Sequence, residues 1–242
     1  MAVLWSETFE SLADATVISA SNSIFDQVTG ASCTVEDALA YAGTKCVAIG
    51  SGNCTMERSF TGEGLLWAAF AFRMSSAPPA NATLLNTYAA GVVVGNLRLT
   101  TARQLNFRDA AATRWTSTAV LALDTWYEIH VRFDPAADEA EVKIYDAAGT
   151  LLEASPTQTM SNVATAVVDE FRLGNLSGAV AYSSFMDRII FDDADEPLTL
   201  AAEGGGGGTT SFLFYDTGTD WVDVSDQLYY DDGTDWVPVG IS

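Results

Sequence analysis

The sequence predicts an all-β protein, a two-sheet sandwich of jelly-roll type followed by a small C-terminal module of β-hairpins. Three observations carry this. Apolar and aromatic residues recur at alternate positions in short runs bounded by Gly, Pro, Asn and Asp, the period of half-buried strands. Residues 204–208 are five consecutive glycines. Beyond them an 11-residue unit recurs at an offset of 15 residues with 8 identities.

Residues 35–41 have a weak helical period, and a short helix is expected there. Residues 64–74 (GLLWAAFAFRM) are apolar with aromatics, suited to a central strand. Residues 90–94, then Gly95-Asn96, then 97–101 read as a tight two-residue hairpin. In 126–133, Tyr127, Ile129, Val131 and Phe133 share one face, while Trp126, Glu128, His130 and Arg132 share the other. Residues 134–139 read as a turn, 141–146 as a strand, and Ala147-Ala148-Gly149 turns into 150–154. Residues 171–174 and 185–192 are two further strands.

The glycine run has high backbone entropy and no side chains to bury, so it marks a flexible linker over 204–210. The expected domains are therefore 1–203, the sandwich, and 211–242, the repeat tail. The repeat is FYDTGTDWVDV (214–224) and YYDDGTDWVPV (229–239). Each unit reads as strand, polar turn, strand. Two such hairpins bury little by themselves, so the tail requires a partner, either another copy of the chain or the body of an assembly. Tyr215, Trp221, Tyr230 and Trp236 are its candidate interface residues, because aromatics dominate the energetics of small modules.

Composition narrows the function. The 242 residues are 48% apolar, enough for a core, which excludes wholesale disorder. There are 32 acids against 11 bases, a net charge of −21. This balance argues against nucleic-acid partners and against anionic membranes. Every base lies within 45–188, and 12 acids with no base follow Arg188. The N-terminus (MAVLWSETFE) lacks a basic and apolar leader, so no signal peptide and synthesis in the cytoplasm are expected. One His and three Cys leave few ligands for zinc or iron. Two readings of the cysteines stand: all three reduced, or a Cys46–Cys54 clip with Cys33 free or paired between subunits.

Residues 123–133 (LDTWYEIHVRF), followed by 141–146 (EVKIYD) and Gly149-Thr150, resemble the concanavalin A-like, laminin-G-like jelly-roll superfamily. So do 168–174 (VDEFRLG) with 185–193 (FMDRIIFDD), as closing strands, and the opening 7–10 (ETFE). The resemblance covers about residues 5–196 and rests on the order and spacing of loose motifs. The tail is similar to short Y-D-G-x-x-W-V repeats at the ends of virion proteins of tailed bacteriophages. Together these resemblances imply a non-enzymatic virion protein: a capsid decoration, head-fibre or minor tail protein. Such a chain assembles with itself as a trimer and with capsid or tail proteins, and displays a jelly roll to host-surface glycans. A free carbohydrate-binding module or lectin is the alternative. A glycoside hydrolase is a third.

The resemblance implies that a glycoside hydrolase of this superfamily would carry two carboxylates flanking the scissile bond, commonly on one strand as E-x-D-x-x-E. The chain has no such triplet, and Asp169-Glu170 and 192–196 (DDADE) are the nearest clusters. The second reads as a solvated edge leading into the linker. His130, the single histidine, reads as a polar-face residue beside Glu128 and Arg132. No catalytic residue and no cofactor are therefore expected. The resemblance admits calcium, with oxygen ligands from 134–139 or 192–196, although neither loop fits an EF-hand. Sugar binding requires exposed aromatics, for which Trp67, Trp115 and Trp126 are available. Trp67 and Trp126 sit in apolar strands and read as core. Trp115, within Arg114-Trp115-Thr116-Ser117, is the candidate glycan contact.

Overall fold

Alternation read from the sequence becomes two antiparallel sheets. The computed structural model describes residues 3–30, 33–50, 54–109, 112–160, 167–177, 180–193, 196, 197 and 199, and the backbone of four short strands beyond them. The chain divides into two compact units, Met1–Glu203 and Gly204–Ser242.

In chain order the first unit contains β1 (Val3–Glu7), β2 (Gln27–Thr29), β3 (Cys33–Glu36), β4 (Cys46–Ile49), β5 (Cys54–Glu63) and β6 (Leu66–Met74). Then come β7 (Ala82–Ala89), β8 (Val92–Leu99), β9 (Leu105–Asp109), β10 (Thr113–Thr116), β11 (Tyr127–Asp134) and β12 (Glu139–Asp146). The set closes with β13 (Leu151–Ala154), β14 (Gln158–Thr159), β15 (Val168–Asn175) and β16 (Ser184–Asp192). The first sheet runs β13-β12-β11-β6-β16-β4-β3, with β1 on β16 and β14 on β12. The second runs β10-β9-β8-β7-β15-β5-β2.

The core lies between the sheets. On β11, Tyr127, Ile129, Val131 and Phe133 point inward as the alternation requires, opposite Phe72, Phe70, Ala68 and Leu66 of β6. Phe171 of β15 stacks on Phe191 of β16, and Phe107 of β9 meets Phe133. These aromatic pairs join the two layers.

Three expectations are corrected. Residues 35–41 form no helix: Cys33 and Val35 are buried at alternate positions of β3, so a period of two holds there. The hairpin is not at Gly95-Asn96. It turns at Ala90 (φ +49°) and Gly91 (φ +77°), the pair of positive angles that matches strand twist. Gly95 sits within β8 because it faces the core, where a side chain would meet the Phe133 ring at 2.5 Å. The cysteine pairing also differs. Cys33 bonds Cys54, joining β3 of one sheet to β5 of the other across a Cα–Cα distance of 5.5 Å. Cys46 lies opposite Glu36 on the outward face of β4 and is a buried free thiol. Its pKa is pushed up to about 12, by burial first and then by Asp187 and Glu36.

The tail forms two antiparallel hairpins, as its repeat predicts. β17 (Phe214–Asp216) pairs β18 (Trp221–Asp223), and β19 (Tyr229–Asp231) pairs β20 (Trp236–Pro238). Tyr215 lies opposite Val222, Trp221 opposite Asp216, Tyr230 opposite Val237 and Trp236 opposite Asp231. Their side chains, and the linker 204–210, lie outside the described residues.

Candidate functional site

Each sheet has an outer face, and both carry charge. On the first sheet the outward register sets Glu128 and His130 of β11 opposite Tyr145 and Lys143 of β12. Their neighbours on β6 are Ala71 and Ala69, small enough to leave room above the sheet. A register shift in β16 between Asp187 and Ile190, with Arg188 at φ +46°, allows that arginine to reach Glu128.

The result is a closed network. Glu128 and His130 are fully buried. His130 Nε2 is 3.1 Å from Glu128 Oε1, and its Nδ1 is 3.0 Å from Glu196 Oε1. Glu196 also accepts from the Tyr145 hydroxyl at 2.8 Å and from Lys143 Nζ. The Tyr41 hydroxyl donates to Glu128 at 3.1 Å. The Tyr41 and Ala42 amides donate to Asp187 at 2.9 and 2.8 Å. Burial works against a charged His130, but the two glutamates outweigh it and raise its pKa above 6.5. Burial likewise opposes the Glu196 charge, and the His130, Lys143 and Tyr145 donors override it, holding the carboxyl at about 2. Asp187 shows the opposite balance: burial lifts it to about 7 despite three backbone donors.

His130 lies on the polar face, as read from the sequence, and is fully buried there. One reading is corrected: Glu196 belongs to an ion network rather than to a solvated edge. In the two loops weighed as calcium ligands, Asp134, Glu139 and Glu196 have protein partners, while residues 194 and 195 lie outside the described residues. Asp134 and Glu139 both bond Arg132, at 2.6 and 3.2 Å, and Asp134 also accepts from the Ala137 amide.

The outer face of the second sheet is different. Here β7, β8 and β9 form a groove of about 390 Å³ lined by Thr83, Asn86, Val92, Val93, Asn96, Arg98, Arg108 and Asp109. Leu97, Leu99, Leu105 and Phe107 face the core, so Asn96, Arg98 and Arg108 face out. Asn96 is 8% exposed, and its Oδ1 has no hydrogen-bond partner among the described residues. The Nε atoms of Arg98 and Arg108 are buried and equally without partners. Asp109, at the groove's end, is held by Arg114 at 2.6 Å. Burial, then the charge of Arg108, lower the Arg98 pKa.

None of these groove residues was singled out from the sequence. Misplacing the turn hid Asn96, and an arginine on an alternating strand gives no local signal of a missing counter-ion. Trp115 is on neighbouring β10, opposite the buried Phe107, and is half-buried against the core. Trp67 faces outward on the first sheet, with Lys143 Nζ 5.2 Å from its ring centre. Trp126 is half-buried, donating to the Leu39 carbonyl at 3.0 Å.

Fold and faces together define a class: an antiparallel β-sandwich with one outer face closed by its own ion pairs and the other open as a polar groove. No family model matches the chain, and no curated relative does. Solved structures match it in fold. A Trypanosoma rangeli sialidase aligns with a TM-score of 0.57 at 12% identity, over 86% of this chain and 34% of the sialidase. The receptor-binding domain of botulinum neurotoxin type G aligns with a TM-score of 0.52 at 10% identity, over 84% of this chain and 50% of that domain. The chain therefore spans only part of each, and the likeness is one of β-sandwich fold, in keeping with the jelly roll read from the sequence.

Proposed function

We propose that the chain is a non-enzymatic glycan-binding module of a tailed-phage virion, displayed by its sandwich and joined to its assembly by the hairpin tail. The observation that carries the binding half is the groove on the second sheet. Its Asn96 amide oxygen and its Arg98 and Arg108 Nε groups retain hydrogen-bonding capacity that the described residues do not use. The tandem tail and the glycine run support the virion half. A binding rather than hydrolytic role is supported by the carboxylates near the candidate clusters. Glu196 is tied to three donors, Glu170 to Arg172, and Asp169 to the Ala90 amide.

The test has two arms. Light scattering of the full chain against a chain ending at residue 203 reports self-assembly, with a drop from a trimer to a monomer expected on truncation. Equal masses for the two chains refute the tail's assembly role. Glycan-array binding by the full chain reports recognition, and a blank array refutes the binding half. A free lectin is the second reading, and the Cys33–Cys54 bond favours it, since such bonds persist in oxidising surroundings. A monomeric full chain that binds glycans would select it.

A further inference from the structure

Resting on the glycan reading of the groove, we infer that its ligand is a sugar residue bearing a carboxylate, clamped by Arg98 and Arg108 and oriented by Asn96. The β8–β9 register places Asn96 opposite Arg108 and Arg98 opposite Asn106. The two arginines are thus diagonal neighbours on one face, where like charges repel. Arg58, Arg73, Arg114, Arg132, Lys143, Arg172 and Arg188 each form an ion pair; Lys45, Arg98, Arg103 and Arg108 form none among the described residues, and of these four Arg98 and Arg108 are the two that line the groove together. In a chain with 32 acids, two adjacent cations lacking a carboxylate stand out. A planar carboxylate fits two guanidinium forks.

The other unpartnered atom narrows the ligand further. Asn96 Oδ1 is an acceptor, which a bare carboxylate cannot satisfy; a hydroxyl can. Thr83 and Asn86 add polar groups to the same wall. Anion and hydroxyl together describe an acidic sugar. The volume of about 390 Å³ is at the small end of ligand sites, suited to a terminal residue rather than a long segment. The net charge of −21 repels densely sulfated or phosphorylated polymers, while a single carboxylate close to the arginines feels mostly their local field.

The experiment is an array of sialylated, uronic-acid-bearing and neutral glycans, probed with the full chain before and after methyl esterification of the array's carboxylates. The expected result is binding to acidic glycans that esterification abolishes. Arg98→Gln and Arg108→Gln should each weaken it roughly tenfold or more, the value of a hydrogen bond to a charged group, with an unchanged urea midpoint. Asn96→Ala should weaken binding to the same glycans. Binding indifferent to esterification overturns the carboxylate inference and leaves the glycan reading standing; a blank array overturns both. If inorganic phosphate competes as tightly as the acidic glycan, the site is a bare oxyanion site and the sugar inference is overturned.

Discussion

Replacing Glu196 by Gln tests whether the closed face of the first sheet holds the fold together. The carboxylate takes hydrogen bonds from His130, Tyr145 and Lys143. Burial alone would raise its pKa; these donors bring it instead from 4.5 to about 2. At about 1.4 kcal/mol per pH unit, that difference is about 3 kcal/mol of native-state preference for the anion. The side chain is 24% exposed, and solvent screening trims the figure to about 2–3 kcal/mol. Because the folded pKa is depressed, the contribution is present above about pH 4.5 and is lost as pH falls through about 2. For His130 the sign is reversed. Its folded pKa is raised, so its contribution is complete below pH 6.5 and is lost as pH rises through the folded value. Both contributions are present together between about pH 4.5 and 6.5. Asp187, lifted to about 7, titrates alike in both proteins and cancels in the difference. Urea unfolding of the full chain at pH 5.5, followed by tryptophan fluorescence, should show the variant less stable by about 2–3 kcal/mol, with a deficit that shrinks as pH approaches 2. The single histidine offers a direct readout, since its NMR titration is unambiguous. Its pKa should fall in the variant, which has lost one of two anionic neighbours. An unchanged urea midpoint at pH 5.5, or a deficit equally large near pH 2, would refute the reasoning.

The cysteines and glycines make sharper structural tests. Unfolded without reductant, the chain should expose one reactive thiol, Cys46, and after reduction three. Cys33→Ser with Cys54→Ser should cost about 3 kcal/mol, the chain-entropy value for a bond closing a separation of 21 residues; an unchanged urea midpoint would contradict the pairing. Gly174→Ala should be worse than Gly95→Ala. At Gly174 (φ +124°) a Cβ would lie 2.1 Å from the Cys54 carbonyl oxygen, a backbone atom. At Gly95 it would meet the Phe133 ring at 2.5 Å, and overpacking of that kind costs about 1–3 kcal/mol. Equal thermal midpoints for the two variants would count against the described geometry.

What was legible in the sequence was what is local. The strands β11 and β12 follow from alternation, since each residue's face depends only on its immediate neighbours, and β6 follows from its apolar, aromatic run. The Ala90-Gly91 turn was missed because alanine carries no turn signal, while Gly95-Asn96 carries a false one. What overrides that signal is the Phe133 ring, supplied by the opposite sheet. Glu196 failed in the same way. It looks like one more acid before the linker until His130, 66 residues away, and Lys143, 53 residues away, are brought beside it. Long-range pairing of this kind leaves no periodic trace in a single chain.

The misplaced turn and the hidden site have one cause. Only when the hairpin bends at Ala90-Gly91 does β8 extend through residues 92–99, putting Asn96 and Arg98 on one outer face beside Arg108. A bend at Gly95-Asn96 would have placed the amide in solvent and separated it from both arginines. Charge pairing then separates the two faces by role. To bind on the first sheet, a ligand must displace Glu196 from three donors or Arg188 from Glu128, breaking contacts that stabilise the fold. To bind on the second, a carboxylate displaces no carboxylate partner of Arg98 or Arg108 among the described residues and relieves the repulsion between them. The free energy of filling the groove therefore appears as affinity, while that of the closed network appears as stability. Substitutions on the two sheets should divide accordingly: Glu196→Gln in the urea midpoint, Arg98→Gln and Arg108→Gln in ligand binding.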